Sequence, residues 1–164
     1  MRPARRGDVP AVLDLVVAAE LFSRSETPLL RDMMMDYFEA EHANGHRFVV
    51  DEQEDAILGV AYYQPREAAD RVWDLTMIAV RPAEQRSGRG VALVNWVENE
   101  LRGRDQRLLM IETSATAQYD RARSFYLKAG FDEEARVRDY WEDGDDLVIF
   151  CKSLATDFGV GLQG

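Results

Sequence analysis

The sequence has one cysteine, Cys151, in 164 residues. A single thiol excludes an intrachain disulfide framework and a cysteine-built zinc site, and it suits a reducing compartment. No apolar run approaches the ~20 residues that a helix needs to span a bilayer, so no membrane partner is expected. Basic residues are scarce beside acidic ones, 20 against 30, which sets the formal net charge at −10. Such a surface repels phosphate backbones and argues against nucleic acid; it suits either solubility or a cationic acceptor. The opening Met1 to Arg6 is basic, but Asp8 and Pro10 follow where a secretory signal would need an apolar stretch. The expected location is cytoplasmic. Repeats, low-complexity tracts and Pro/Ser-rich linkers are also lacking. Residues 1–154 are therefore read as one domain, and 155–164 as a polar tail expected to be mobile.

What is present is an alternation of helical and strand patterns. A short strand around Arg2 to Ala4 precedes Asp8, which can cap a helix opening Val9-Pro10, with Val12, Leu13, Val16 and Val17 at helical spacing. A second helix is predicted from Ser25 or Thr27 through Met33, Met34, Met35, Tyr37 and Phe38, ending before Asn44-Gly45. Arg47 to Val50 and Ile57 to Tyr63 read as a hairpin about the acidic turn Asp51 to Asp55. Val72 to Val80 is nearly all apolar, as in a strand covered on both faces. A helix from Gly88 to Arg102, a strand from Leu108 to Thr113 and a helix from Tyr119 to Ala129 follow. Ala135 to Trp141 and Leu147 to Lys152 then flank the turn signal Asp143-Gly144. The order predicts an α/β fold whose sheet is mixed rather than wholly parallel.

The chemistry concentrates between Val80 and Leu93, where a buried strand ends and a glycine-rich turn opens an amphipathic helix. Gly88 and Gly90 let a ligand approach the backbone without a Cβ in the way. The first N–H groups of the helix lack intrahelical partners and carry the positive end of its dipole, and Arg86 and Arg89 add cationic donors. Together they make an anion site suited to a pyrophosphate. A Walker loop would need Gly-Lys-Ser/Thr where Gly90-Val91-Ala92 stands, and a dinucleotide fingerprint would need a small third residue where Leu93 stands. The plainer reading, a tight strand-to-helix turn with no ligand, stays open on the loop alone.

Gln85-Arg86-Ser87-Gly88-Arg89-Gly90 matches Gln/Arg-x-x-Gly-x-Gly/Ala, the CoA-pyrophosphate loop of N-acetyltransferases. Ala122 to Phe131 (ARSFYLKAGF) matches A-x-x-F/L-Y-x-x-x-G-F. With Leu75 to Val80 and the strand ending Ile111-Glu112, these pieces make the chain from Trp73 to Leu154 resemble the GNAT superfamily of N-acetyltransferases. The last hairpin, with Arg138-Asp139-Tyr140-Trp141, is similar to the branch that acetylates ribosomal-protein N-termini. Residues 1–70 match only in element order.

The resemblance implies a single-domain GNAT-like fold. Its mixed sheet would have six to seven strands, four helices flanking it, and a splayed cleft between the fourth and fifth strands. It implies acetyl-CoA as co-substrate, no metal, and transfer to a primary amine on a small molecule or a peptide N-terminus, without an acyl-enzyme. Ile78, Ala79 and Val80 would offer backbone groups to the pantetheine arm and acetyl carbonyl. Gln85, Arg86, Ser87, Gly88, Arg89, Gly90 and Val91 would hold the pyrophosphate. Tyr126 stands where the family has a tyrosine beside the CoA sulfur, and a phenol still protonated at neutral pH can protonate a leaving thiolate. Glu112 stands where the N-terminal acetyltransferases have their glutamate base; it closes an apolar run, an expensive place for an unpaired carboxylate. Asp74 is the alternative base, and a salt bridge to a neighbouring Arg or an exposed strand end is the plainer role for Glu112. Dimers are common in the family, so a homodimer is one partner to test.

Several residues carry a plainer reading. Tyr140 and Trp141 are read as acceptor-pocket walls, or as core or cross-strand pairs. Met33 to Met35 are read as core filler or an adaptable wall. Cys151 alternates with Ile149 on a strand and is read as a buried thiol. His42 and His46 have no third ligand to make a metal site. The competing function is an acyl-CoA-binding regulatory module with little or no turnover, and a cofactor-free interaction domain would leave the loop unexplained.

Overall fold

In a computed structural model, described over residues 1–40 and 45–155, periodicity and structure largely agree. The elements are β1 (Arg2–Pro3), α1 (Val9–Ala18), α2 (Thr27–Glu39), β2 (Arg47–Gln53), β3 (Ala56–Pro65) and β4 (Val72–Val80). They continue with α3 (Arg89–Gly103), β5 (Leu108–Ser114), α4 (Asp120–Lys128), β6 (Asp132–Glu142) and β7 (Asp145–Ser153). Among the described residues the strands form one open mixed sheet in the order β1-β2-β3-β4-β5-β7-β6. The predicted end of the second helix at Asn44 and the predicted tail beyond residue 155 lie outside the described residues. The chain contains two compact units, Met1–Pro65 with Asp74–Val97, and Arg66–Trp73 with the chain from Glu98 onward.

In the first unit α1 and α2 cover one face of β2, β3 and β4. Val12, Leu15 and Val16 meet Leu30, Met34 and Tyr37, and beneath them lie Phe48, Val60, Tyr62 and Met77. Burying each aliphatic side chain of this kind stabilises by about 1.5–3 kcal/mol. Leu15 rather than Val17 completes the stripe of α1, since Leu15 is fully buried and Val17 only partly. Asp8 occupies the expected N-cap position of α1, but its carboxylate does not bond the helix. It accepts instead from Arg2 Nη1 (2.7 Å), Arg2 Nη2 (3.0 Å) and the Arg5 N–H (2.7 Å). A guanidinium offers two charge-assisted bonds and outcompetes a neutral N–H. Beside it, the Asp8 carboxyl titrates below the usual carboxylate range.

Most of the segment expected as the β2–β3 turn is strand. Gln53 pairs with Ala56, so the turn is Glu54-Asp55 alone, with φ of 51° and 62°. Both central residues are left-handed, a type I′ turn that prefers Asn-Gly. Replacing Glu54-Asp55 by Asn-Gly should relieve roughly 1 kcal/mol of left-handed strain and raise Tm by about 2–4 °C in a chain of this size. A thermal melt that falls instead would contradict the assigned turn.

In the second unit β7 pairs antiparallel with both β5 and β6. The predicted turn forms at Asp143-Gly144, with Gly144 at φ +85°. The β6 ladder is interrupted: Val137 pairs with Leu147 and Glu142 with Asp145, so Arg138 to Trp141 oppose Asp146 alone. Asp139, left-handed at φ 50°, holds this excursion by donating its N–H to Asp146 Oδ1 (3.1 Å) and accepting the Gly144 N–H (2.8 Å). Lys152 of β7 donates to the α4 terminal carbonyl of Ala129 (2.7 Å) and to Glu98 of α3 (2.5 Å).

Candidate active site

The glycine-rich loop belongs to the first unit and is built from both sides. A bulge in β3 leaves Leu58 without a partner in β2, and its carbonyl accepts the Arg81 N–H (2.9 Å) just past β4. Arg81 Nε donates to the Ile57 carbonyl (2.7 Å). Pro82–Glu84 make one 3₁₀ turn. Gln85 Nε2 then reaches back to the Val80 carbonyl (3.2 Å), and Ser87 Oγ to the Glu84 carbonyl (2.5 Å). Arg86 and Gly88 are both left-handed, at φ 64° and 88°. Alternation of left- and right-handed residues curls successive N–H groups toward one side, a geometry that binds anions. The Gly88 carbonyl accepts the Ala92 N–H (2.9 Å), so Gly88 is the N-cap of α3. The N–H groups of Arg89, Gly90 and Val91 form its first turn, the positive end of the dipole.

Arg89 is committed within the protein. Its Nη1 bonds Asp51 (2.8 Å), its Nε bonds Glu84 (3.1 Å) and its Nη2 bonds Gln53 (2.5 Å). The guanidinium thus pins the loop to β2 and neutralises Asp51, which is a buried strand residue and not part of the expected turn. Sequence reasoning found Arg89 but missed Asp51 and Glu84; partners 38 and 5 residues away share no spacing rule. A cavity of about 370 Å³ lies against the loop, lined by Ser87, Gly88, Arg89, Ala92, Asp51 and Met1. A Cβ at Gly88 would meet no atom within 4 Å, so its glycine answers to backbone conformation and not to packing. The backbone N–H groups here suit a pyrophosphate, with Arg89 as the brace of the loop.

β4 departs from the expectation of burial on both faces. Leu75, Met77 and Ala79 are buried, but Thr76 is exposed and Asp74, Ile78 and Val80 are half-buried. The strand that sequence alone reads as core therefore keeps one row of residues accessible at its C-terminal half.

In the second unit Tyr126 is fixed by the end of α4. The Gly130 N–H bonds the Leu127 carbonyl (3.0 Å) and the Phe131 N–H bonds the Tyr126 carbonyl (3.1 Å). With Gly130 at φ +86° this is a Schellman cap, and the hydrophobic contact that accompanies one is Tyr126 on Phe131, at 6.3 Å between ring centres. The A-x-x-F/L-Y-x-x-x-G-F spacing is thus a device for locking one tyrosine to a helix end. Phe125 and Phe150 complete its surroundings at 5.6 and 5.5 Å. Among the described residues its hydroxyl has no hydrogen-bond partner, and it is not sealed from solvent. Burial of the ring, and secondarily Tyr119, push the phenol up to about 12.

Glu112 lies on β5 opposite Ile149. It is exposed, because two-residue alternation buries Leu109, Ile111 and Thr113 and turns Glu112 outward. Arg66 Nη2 donates to its Oε1 at 2.7 Å. The salt bridge and the exposed position that the sequence offers as its plainer readings are both present. Tyr140 and Trp141 are neither core nor ladder pairs; on the β6 excursion they are 53% and 48% exposed and pack edge to face on each other at 4.8 Å. Met34 is core, whereas Met33 and Met35 are only partly buried. Cys151 is half-buried on β7. His46 Nδ1 lies 2.7 Å from the Tyr62 hydroxyl. His42 lies outside the described residues, among which no three His, Cys, Asp or Glu side chains gather to hold a metal. Among the same residues no helix is long and apolar enough to cross a membrane.

A model of the acetyltransferase (GNAT) family matches residues 13–131. The chain is 32% identical to a protein of the GNAT family from Desulfovibrio desulfuricans, over 94% of this chain and 98% of that one, with a TM-score of 0.90. It is 27% identical to smu.2055 from Streptococcus mutans UA159, over 93% and 98% of the two chains, with a TM-score of 0.75. The fold is also that of the ribosomal-protein-S18-alanine N-acetyltransferase from Escherichia coli, at 24% identity, 99% and 97% coverage and a TM-score of 0.72. No curated protein matches the sequence.

Proposed function

Since the chain belongs to the GNAT family and is an acetyl-CoA-dependent N-acetyltransferase, we propose that it transfers acetyl directly to a primary amine without an acyl-enzyme. The observation that carries this reading is the left-handed pair Arg86 and Gly88 opening α3, which presents the helix N–H groups as an anion cradle. Bound acetyl-CoA supplies an activated acyl carbon. In the first unit, Ile78 to Val80 offer backbone groups beside it, and Gln85 to Val91 hold its pyrophosphate. In the second, Tyr126 gives its proton to the departing thiolate and Glu112 receives the proton that the amine loses, directly or through a water. Asp74, half-buried on β4, is the other carboxylate suited to that second task.

A thiol-release assay with acetyl-CoA and a panel of amines and short peptides tests the reading. Glu112→Gln should lower kcat about 10²-fold, as loss of a general base does, while acetyl-CoA affinity by calorimetry holds. Arg66→Ala, which breaks the same surface ion pair, should keep activity and melt within about 2 °C of the parent, since exposed pairs contribute about 0–1 kcal/mol. If both variants behave alike, Glu112 is only half of a salt bridge. If acetyl-CoA binds and no acceptor releases thiol, the chain is a CoA-binding module instead.

A further inference from the structure

The first unit contains a second, apolar pocket of about 120 Å³. Leu21 and Phe22, from the α1–α2 connection, stand with Leu30 and Met33 of α2 over Tyr62 of β3. Thr76 and Met77 of β4 make the remaining wall. None of these side chains carries a charge. The one buried hydroxyl among them, that of Tyr62, is already held by Gln64 Oε1 (2.8 Å) and His46 Nδ1 (2.7 Å). A charged substituent placed here would lose its water without gaining a partner, at a cost of several kcal/mol. An apolar one would lose nothing.

The pocket is preformed. Leu21 is set by the end of α1, where its N–H bonds the Val16 carbonyl (3.0 Å) and the Glu20 N–H bonds Val17 (3.0 Å). That is again a Schellman cap, but its left-handed residue is Glu20, at φ 58°, where glycine is usual. Backbone strain held in this way concentrates at functional sites. Leu21, at the rim, is 40% exposed, so the pocket has a mouth. Size selects further: an apolar cavity of about 150 Å³ takes benzene, so 120 Å³ admits a branched aliphatic group and little more.

Position ties the pocket to the reaction. Met77 immediately precedes Ile78, and Thr76 stands two residues before it, so at about 3.4 Å per residue the wall begins within ~7 Å of the strand segment assigned to the acetyl group. We infer that the acceptor is a primary amine whose α-carbon bears a leucine- or methionine-sized aliphatic side chain, seated between Leu21, Phe22, Met33 and Met77. This rests on the transferase reading and names its substrate class. An α-amino acid amide and a peptide N-terminus share that chemistry.

The test measures kcat/KM by thiol release for peptides differing only in a first residue of Leu, Met, Ala, Gly, Asp or Lys, with leucinamide and glycinamide alongside. Acetyl-CoA binding is followed by calorimetry in parallel. The leucine acceptors should exceed the glycine ones by at least ~10-fold, since each buried methylene is worth about 1–3 kcal/mol in such a pocket. Preference for the peptide over leucinamide would name the source as a protein N-terminus, and equal use would name the free amine; either supports the pocket. Met33→Trp, which fills it, should remove the leucine advantage, bringing the leucine-to-glycine ratio of kcat/KM down to about one. Leu21→Asp, a rim change that spares the core, should lower the leucine-to-glycine ratio of kcat/KM ~10-fold. If acetyl-CoA binds and Gly, Asp or Lys acceptors serve as well as Leu, the pocket assignment is wrong and the transferase stands. If acetyl-CoA binds and no acceptor is used, both fall together.

Discussion

Replacing Tyr126 by Phe should lower kcat about 10²- to 10³-fold, with acetyl-CoA affinity unchanged and Tm within about 1 °C of the parent. The two halves of that expectation rest on different parts of one side chain. The ring is structural: it packs on Phe131 and Phe150, and its residue supplies the carbonyl that closes the Schellman cap. Phenylalanine preserves all of this. The hydroxyl has no hydrogen-bond partner among the described residues, so its removal leaves no donor or acceptor stranded. What it does carry is a proton held up to about 12. Tyr126 therefore imposes no fall in rate below about pH 11, and an alkaline limb near pH 9 would belong to another group. The same shift makes stability depend on pH. An unfolded phenol ionises near ~10 while the folded one keeps its proton to about 12, so stability is lost as pH rises through that window. Tyr62, pushed up to about 12 by burial, adds to the loss, and Tyr126→Phe should abolish only part of it. Turnover within two-fold of the parent would remove Tyr126 from the reaction. A joint fall in kcat and acetyl-CoA affinity would make it a binding residue.

Local chemistry is what the sequence disclosed. The exit of β4, the loop from Gln85 to Gly90 and the end of α4 were legible because each is written within a dozen residues: an apolar run, two glycines ahead of a helical stripe, a tyrosine four residues before a glycine. The β6–β7 turn at Asp143-Gly144 was legible for the same reason. Interactions between distant segments were not. Asp51 read as a turn residue because nothing near it announces Arg89, 38 positions on. Asp8 read as a helix cap because its competitor, Arg2, lies on a strand whose course sequence alone does not fix. Glu112 read as a carboxylate at the end of a buried run, yet a two-residue period decides its face, and continuous apolar composition hides that period. Tyr140 and Trp141 lie in a stretch of β6 that leaves the ladder, and strand propensity has no signature for a four-against-one excursion. The apolar pocket draws on the α1–α2 connection, α2, β3 and β4 at once. It could be found only after the chain had folded.

Glu98→Ala should cost about 3 kcal/mol of stability, or a fall in Tm of roughly 6–10 °C. Glu98 is 3% exposed on α3 and accepts from Lys152 Nζ at one oxygen (2.5 Å) and from Arg102 Nη2 at the other (2.9 Å). Arg102, one turn further along the helix, keeps access to water. Lys152 is the vulnerable partner, with only a fifth of its side chain exposed. Without Glu98 its ammonium keeps the Ala129 carbonyl and the Phe131 ring, at 5.5 Å from the ring centre, and, among the described residues, no counter-charge. The cost is thus that of a stranded charge and not that of a missing attraction, which a second substitution can show. In Glu98→Leu with Lys152→Met the charge is gone and apolar stems replace both partners. Most of the lost stability should return, as it does when buried ion pairs are exchanged for packed side chains. A double variant as unstable as Glu98→Ala would mean that the pair itself, geometry included, holds α3 to β7. Activity discriminates as well. The bonds from Gly130 and Phe131 that fix Tyr126 do not involve Lys152, so at temperatures well below its melt Glu98→Ala should retain kcat within about three-fold. A protein that melts like the parent but has lost turnover would show that the Lys152 contact with Ala129, and not the helix cap, sets the tyrosine.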